Sequence, residues 1–213
     1  MSGSERAKRF VGGIYSAIAD NLYEPLVVQG AFRVFGRDLH SAIARHGRRA
    51  VELAAGEPIL DLPIGTGYFT FDVAKRHEGV VVGVDLADGM VRESQRAARG
   101  AGVSNLALSR ADAHRLPFAD DSFAVVMCWN GLQVMPGTEQ TVGELARVLR
   151  PGGTLFASIL TLPLGDALSE RARRKLPPML HGRERFAQAF RAAGLTVEAV
   201  DTDRLATVFR ATL

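Results

Sequence analysis

A carboxylate and two glycines, Asp61, Gly65 and Gly67, lie close together between an apolar run and a stretch of helical character. Residues 59–62 predict a short strand, and residues 68–76 predict the start of a helix. Glycine permits a tight turn and a close approach of a ligand to the backbone, and the first N–H groups of the following helix point towards that ligand. Because the acid at the strand end would repel a phosphate, the pattern favours a ligand that carries an ammonium or a water-bridged amine.

A second acid, Asp85, closes the next apolar run, Val80 to Val84, and lies 18 residues after Gly67. In Rossmann-like nucleotide sites, an acid about 20 residues beyond the glycines accepts hydrogen bonds from the ribose hydroxyls. The alternative is that Asp61 caps a helix and that Asp85 is an ordinary turn residue. The succession of both features favours the nucleotide site.

The spacing of the glycines distinguishes between classes of nucleotide site. A dinucleotide site of the G-x-G-x-x-G type needs a third glycine, which lets the helix pack closely on the strand, and this chain has the bulky Thr70 there. A phosphate-binding loop needs G-x-x-x-x-G-K-[ST], a string that the sequence lacks. The remaining pattern, D-x-x-x-G-x-G, disfavours a nicotinamide-dependent oxidoreductase.

The segment ILDLPIGTGYFT, residues 59–70, resembles the class I S-adenosylmethionine-dependent methyltransferases, whose usual string is D-x-G-x-G-x-G. Pro63 occupies the position of the first glycine and leaves only the carbonyl of that residue for the turn. Two further segments, LPFADDSF at residues 116–123 and LRPGG at residues 149–153, are similar to other segments of the family. The resemblance covers roughly residues 59–200 and is greatest to the subgroup that includes the ubiquinone and menaquinone C-methyltransferases.

The resemblance implies S-adenosylmethionine as the cofactor and a role for each matching residue. The implied cofactor-binding residues are Asp61, Pro63, Gly65 and Gly67 for the methionine moiety, Asp85 for the ribose, Leu86, Asp112 and Ala113 for the adenine, and Trp129 beside the sulfonium methyl. The candidate substrate residues are Asn130 and Gln133, after the fourth predicted strand, and Tyr15 and Tyr23 of the N-terminal segment, which could equally pack into the core.

Methyl transfer asks little covalent chemistry of a protein, because the sulfonium is already a strong electrophile. A base is needed only if the acceptor loses a proton; His114 and His181 are candidates, but a structural role suits each better, and no catalytic residue is assigned. The short stretch after residue 160 and the lack of an N-P-P-Y string favour carbon or oxygen methylation of a small organic acceptor. Two alternatives stay open: a non-methylating rearrangement with the same cofactor, and a binding protein with a decayed site.

The composition of the 213 residues, 47% apolar and 23% charged, is typical of one globular domain spanning residues 1–213. Residues 1–56 are expected to form a helical lid, and residues 57–213 the cofactor-binding core.

A net charge of +3, with no aromatic residues among the basic clusters, disfavours a nucleic-acid partner. With no apolar run of membrane-spanning length, no secretory signal and a single cysteine, Cys128, a cytoplasmic location is expected. The histidine spacing indicates no metal site, and homo-oligomer formation is left open.

Short apolar runs alternate with helical segments from residue 59 onward, which predicts an α/β fold with a Rossmann-like, doubly wound, mainly parallel sheet. The last two runs are separated by about four residues and predict a hairpin. The resemblance implies seven strands, one of them antiparallel near the C-terminus. The predicted strands are Ile59–Leu62, Val80–Asp85, Leu106–Arg110, Phe123–Trp129, Thr154–Ile159, Thr196–Asp201 and Ala206–Thr212.

Overall fold

The structure is a computed structural model that describes residues 37–160, 181–202 and 206–213. Its helices are α1 (Arg37–Ala54), α2 (Thr70–Arg76), α3 (Asp88–Gly100), α4 (Thr138–Val148) and α5 (Arg183–Ala192). Its strands are β1 (Ile59–Asp61), β2 (Val81–Asp85), β3 (Leu106–Arg110), β4 (Phe123–Trp129), β5 (Leu149–Leu160), β6 (Thr196–Thr202) and β7 (Ala206–Thr212).

The strands form one seven-stranded sheet in the order β3-β2-β1-β4-β5-β7-β6. The pairs from β3 to β5 are parallel. Strand β7 is antiparallel to both of its neighbours, β5 and β6. This topology confirms the predicted Rossmann-like fold, with its single antiparallel strand near the C-terminus and its β6–β7 hairpin. Because the chain runs outward from β1 to β3 and then returns to the other side of β1, the strand order reverses between β1 and β4.

Both faces of the sheet are covered, as the nearly continuous apolar strands predict. Side chains of a strand point alternately to opposite faces, and β4 shows the consequence: Val126 and Cys128 belong to one apolar cluster, whereas Val125 and Met127 belong to the other. The first cluster is completed by α4 and α5, and the second by α1 and α2. Trp129, the last residue of β4, lies on the second face.

The observed bounds of β3, β4 and β7 coincide with the predicted ones, but β5 begins at Leu149 instead of Thr154. A Pro-Gly-Gly sequence such as the one before Thr154 ordinarily separates a helix from a strand. This one instead lies within β5 as an irregularity that shifts the register against β4. Gly152 has a φ of 73° there and donates its N–H to the carbonyl of Leu213, 3.1 Å away.

Helix α1 is the described part of the predicted N-terminal lid. It packs against α2 and also contacts β4 and β5. Residues 1–36, and with them Tyr15 and Tyr23, lie outside the described residues. In residues 37–160, 181–202 and 206–213, no helix combines the length and apolarity that crossing a membrane requires.

Two glycines give a direct test of this packing. Gly143 lies inside α4, where a Cβ would meet no described atom within 4 Å. Because alanine is favoured over glycine in helices by up to about 1 kcal/mol, Gly143→Ala should raise the free energy of unfolding, measured by urea denaturation, by about 0.5–1 kcal/mol. Gly131→Ala should lower it, because its Cβ would come within 2.2 Å of Cδ of Pro63. Destabilisation by Gly143→Ala would contradict the placement of α4.

Candidate cofactor and acceptor site

The carboxyl ends of three neighbouring strands bring Asp61 of β1, Asp85 of β2 and Trp129 of β4 to one edge of the sheet. Strand β1 lies between the other two, next to the point where the strand order reverses. In open α/β sheets, ligands bind in the crevice outside the carboxyl ends of the strands at such a point. This crevice is therefore the candidate site.

Gly65 and Gly67 shape the turn between β1 and α2. Their φ angles of 55° and 82° lie in the left-handed region, which glycine adopts without steric cost. A Cβ on Gly67 would lie 2.4 Å from the ring of Phe71, whereas a Cβ on Gly65 would meet no atom of the described residues within 4 Å. Gly67 therefore serves close packing, and Gly65 leaves room for a ligand against the backbone.

Asp85 holds the glycine turn as well as facing the crevice. Its Oδ2 accepts a hydrogen bond from the N–H of Gly65 at 3.0 Å, and its Oδ1 accepts one from the N–H of Ala87 at 2.9 Å. Burial raises the pKa of Asp85, and the backbone N–H groups of Ala87, Gly65 and Leu86 oppose that increase. A carboxylate has about four lone-pair positions, so these contacts leave capacity for further donors such as ribose hydroxyls. The sequence pointed to the acid but gave no sign of its bond to the turn.

Asp61 is the most deeply buried acid of the crevice, with 1% of its surface exposed. The hydroxyl of Thr70, at the start of α2, donates a hydrogen bond to its Oδ2. The other oxygen, Oδ1, is buried and has no hydrogen-bond partner in the described part of the chain; we call it the open oxygen of Asp61. Burial raises the pKa of Asp61 to about 7, the Thr70 bond lowers it, and the nearby Asp85 raises it.

Pro63 and Ile64 fix the turn against the rest of the crevice. The ring of Pro63, which follows a cis peptide bond, packs so closely against Gly131 that a Cβ there would come within 2.2 Å of the ring. The side chain of Ile64 packs against Gly83 of β2, where a Cβ would come within 2.2 Å of Cδ1 of Ile64. The N–H of Ile64 donates to the carbonyl of Val84 at 2.8 Å. The turn after β1 is thus held both by β2 and by the loop after β4.

The residues expected at the adenine lie beyond β2 and β3. Leu86 and Ala113 are partly buried, and Oδ1 of Asp112 accepts the N–H of His114 at 3.0 Å. A backbone bridge joins Asp112 to Arg115. The structure therefore brings Leu86, Asp112 and Ala113 to the edge of the sheet that carries Asp85, on the β3 side.

The loop after β4 carries the two described substrate candidates. The backbone of Asn130 has a φ of 53°. Its N–H donates to the carbonyl and hydroxyl oxygens of Ser158. The Ser158 hydroxyl in turn donates to Oδ1 of Asn130 at 3.0 Å. Gln133 is 4% exposed. Among the described residues, neither Gln133 Oε1 nor the indole N–H of Trp129 has a hydrogen-bond partner. These groups offer a buried acceptor and a buried donor to a ligand.

An aromatic cavity, lined by His40, Tyr68, Phe69 and Trp129 together with Asp72 and apolar residues of α1 and α2, adjoins the crevice. The Tyr68 hydroxyl and Nε2 of His40 are 3.1 Å apart, and the rings of His40, Tyr68 and Phe69 are in mutual contact. The sequence reasoning missed His40, Tyr68 and Phe69. The aromatic pair directly after Gly67 was the available signal, but α1 supplies His40 from a distant part of the chain.

Three other side chains that could react, His114, His181 and Cys128, are buried or partly buried. Nε2 of His114 donates to the carbonyl of Pro136 at 2.6 Å, which holds the loop before α4. His181 is buried. Burial raises the pKa of the Cys128 thiol to about 12, so this cysteine is not a nucleophile at neutral pH. Within the described ranges, no cluster of three His, Cys, Asp or Glu side chains is arranged to hold a metal ion.

The known proteins that this chain resembles are methyltransferases. Residues 59–153 match the family described as a methyltransferase domain. The chain is 41% identical over 125 residues to the demethylmenaquinone methyltransferase of Thermus thermophilus, in an alignment covering 57% of this chain and 54% of that protein. These matches confirm the predicted resemblance to the class I S-adenosylmethionine-dependent methyltransferases. Within this family it is similar to the ubiquinone and menaquinone C-methyltransferases.

The chain is also similar in sequence to a second curated methyltransferase and in fold to a solved cyclase structure. The 27-O-demethylrifamycin SV methyltransferase of Amycolatopsis mediterranei is 34% identical over 149 residues, which are 70% of this chain and 50% of that protein. The solved structure of the [4+2]-cyclase SpnF superposes with a TM-score of 0.61 and 26% identity, covering 74% of this chain and 58% of that one. The chain spans about half the length of the curated relatives described here.

Asp61 should make the stability of the protein depend on pH. Its carboxyl binds a proton more tightly in the native state, where its pKa is about 7, than at its ordinary value of 3.8. The contribution of Asp61 is therefore most favourable at low pH and is lost as the pH rises from about 4 to about 7. Asp61→Asn removes this titration, so the variant should gain stability relative to the unsubstituted protein between pH 5 and pH 8, as measured by urea denaturation.

The exposed Asp88, which forms an ion pair with Arg92 on α3, provides the control for this prediction. Asp88→Asn should show a nearly constant difference from the unsubstituted protein over the same pH range. A constant difference for Asp61→Asn as well would contradict the raised pKa of Asp61.

Proposed function

We propose that the protein transfers a methyl group from S-adenosylmethionine to a carbon or oxygen atom of a small organic acceptor. The observation that carries the proposal is the open oxygen of Asp61, which is buried and has no hydrogen-bond partner in the described part of the chain. Thr70 compensates one oxygen of this carboxylate, and leaving the other buried without a partner costs free energy. A cationic ligand group would remove that cost, and S-adenosylmethionine carries an ammonium on its methionine moiety.

The cofactor, when bound, supplies a methyl group activated by a sulfonium, and the residues of the chain position it. In this proposal Asp61 and the turn of Pro63, Gly65 and Gly67 hold the methionine moiety. Asp85 accepts the ribose hydroxyls while keeping its bonds to the turn. The adenine is held by Leu86, Asp112 and Ala113, and Trp129 lies beside the reacting methyl. These residues orient the cofactor and exclude water; none of them has to form a covalent bond.

The acceptor is proposed to bind between the loop after β4 and the aromatic cavity. Trp129 and Gln133 supply buried polar atoms there, and Asn130 is fixed by Ser158. The relatives' names support an acceptor of this class, since demethylmenaquinone and 27-O-demethylrifamycin SV are small molecules compared with a protein or nucleic acid. Tyr15 and Tyr23 stay sequence predictions as further substrate contacts, and so do the single-domain organisation and the cytoplasmic location.

A second function, a rearrangement without methyl transfer, is favoured by one observation. The chain shares its fold and 26% of its aligned residues with a [4+2]-cyclase. In that reading the crevice holds the same cofactor, but the acceptor cavity folds a reactant into a productive shape and no methyl leaves the sulfonium. Methyl-labelled S-adenosylmethionine incubated with the protein and a metabolite extract separates the two functions. Label in a new small molecule, with release of S-adenosylhomocysteine, supports methyl transfer; turnover without release of label supports rearrangement.

Ligand-dependent melting tests the choice of cofactor. S-adenosylmethionine and S-adenosylhomocysteine should each raise the Tm, because a ligand at about 100 times its Kd adds roughly 2.7 kcal/mol to the stability of the native state. NAD should leave the Tm unchanged, since Thr70 occupies the position of the third glycine of a dinucleotide site. Stabilisation by NAD alone would contradict the proposal, as would the lack of an effect of any of the three.

Substitution of Asp85 tests the position of the ribose. Asp85→Ala removes the acceptor for the ribose hydroxyls and for the N–H of Gly65, and a hydrogen bond to a charged group contributes about 1.5–3 kcal/mol. Its Kd for S-adenosylhomocysteine, measured by calorimetry, should rise at least about tenfold. Asp88→Ala, three residues further on and exposed, should bind as the unsubstituted protein does. Equal affinities of the Asp85 variant and the control would show that the ribose lies elsewhere.

A further inference from the structure

The contact between Asp61 and Thr70 joins the strand end of the crevice to its helix. Thr70 is 1% exposed and Asp61 is 1% exposed, so that neither side chain has an alternative partner in bulk water. The Thr70 hydroxyl donates to Oδ2, and a donor bound to one carboxylate oxygen fixes the rotation of the whole group. The direction in which the open oxygen points is therefore set by Thr70.

This hydroxyl also affects the charge of the carboxyl, because it lowers the pKa of Asp61 that burial raises. Burial favours the protonated form of Asp61, and the hydroxyl bond is the first contribution that opposes burial. The other titratable groups that act on Asp61 are Asp85 at the end of β2, which favours protonation, and Cys128 of β4, whose thiol stays neutral because burial raises its pKa to about 12. Helix α2 contributes the Thr70 hydroxyl, which donates a hydrogen bond to Asp61.

We propose that Thr70 is a positioning residue that favours the ionised form of Asp61 and aims its open oxygen at the ammonium of the cofactor, which makes the affinity for the amino-acid part of the cofactor depend on pH. This inference rests on the proposed function and extends it to the selection of ligands. Thr70 does not touch the cofactor in this arrangement; it acts through Asp61. A ligand that has the adenosine part without an ammonium is bound independently of the Asp61–Thr70 pair.

The pH dependence has a definite sign. An ammonium binds the ionised carboxylate better than the protonated carboxyl, so affinity rises as the pH passes upward through the pKa of Asp61, which is about 7. Removal of the hydroxyl removes a contribution that lowers this pKa. In Thr70→Val the rise in affinity should accordingly occur at higher pH, whereas Thr70→Ser retains a hydroxyl and should keep the rise near its original pH.

The test measures the Kd of S-adenosylhomocysteine and of 5′-methylthioadenosine, which lacks the amino-acid part, from pH 6 to pH 9 by calorimetry. At pH 7, Thr70→Val should weaken S-adenosylhomocysteine about tenfold or more, the effect of losing a hydrogen bond to a charged group. The loss should shrink towards pH 9, Thr70→Ser should restore most of the affinity, and the affinity for 5′-methylthioadenosine should change less than about twofold. Asp61→Asn should abolish the part of the pH dependence that distinguishes the two ligands.

A loss for Thr70→Val that is equal for both ligands and constant with pH would overturn the inference, because it would indicate a merely structural role. Unchanged binding by Thr70→Val would overturn it too. If the unsubstituted protein binds neither ligand, the proposed function fails along with the inference; if it binds both without a difference in pH dependence, only the inference fails.

Discussion

The burial of one carboxylate, Asp61, is the constraint on which the rest of the site depends. An acid that has lost contact with water favours its protonated form unless donors or cations surround it, and the pKa of Asp61 is raised accordingly. The chain supplies one donor, the Thr70 hydroxyl, to one of the two oxygens. This incomplete compensation reduces the stability of the unliganded protein at neutral pH, and it prepares the site for a ligand with positive charge. Such an exchange of stability for function is common in enzyme sites.

The surrounding structure holds the turn that follows this carboxylate from two sides. Asp85 ties the turn after β1 to the end of β2 through the N–H of Gly65. Pro63 packs against Gly131 and so ties the same turn to the loop after β4. With both sides fixed, the accessible side of Gly65 is available to a ligand before it binds. Preorganisation of this kind reduces the entropy that binding would otherwise cost.

The sequence predicted most of the fold because the strands are short apolar runs that alternate with helical segments, and it placed Asp61, Asp85 and Trp129 correctly at strand ends. It could not predict that β5 begins at Leu149, because a Pro-Gly-Gly sequence ordinarily ends an element and here lies within one as an irregularity. The sequence also presented Thr70 only as a bulky replacement for glycine. Its bond to Asp61 depends on the angle at which α2 leaves the turn, and the position of His40 beside Tyr68 depends on the packing of α1 across the sheet. The first contact joins residues nine positions apart and the second residues 28 positions apart, and both depend on packing that local patterns do not encode.

In the proposed function, the open oxygen of Asp61 receives the ammonium of the cofactor. A crystal structure of the complex with S-adenosylhomocysteine tests this most directly. The account predicts that the amino nitrogen lies about 3 Å from Oδ1 of Asp61, or is joined to it by a single water, with Thr70 still bound to Oδ2. A complex in which the amino-acid part of the ligand lies outside the crevice, and Oδ1 remains without a partner, would contradict the account.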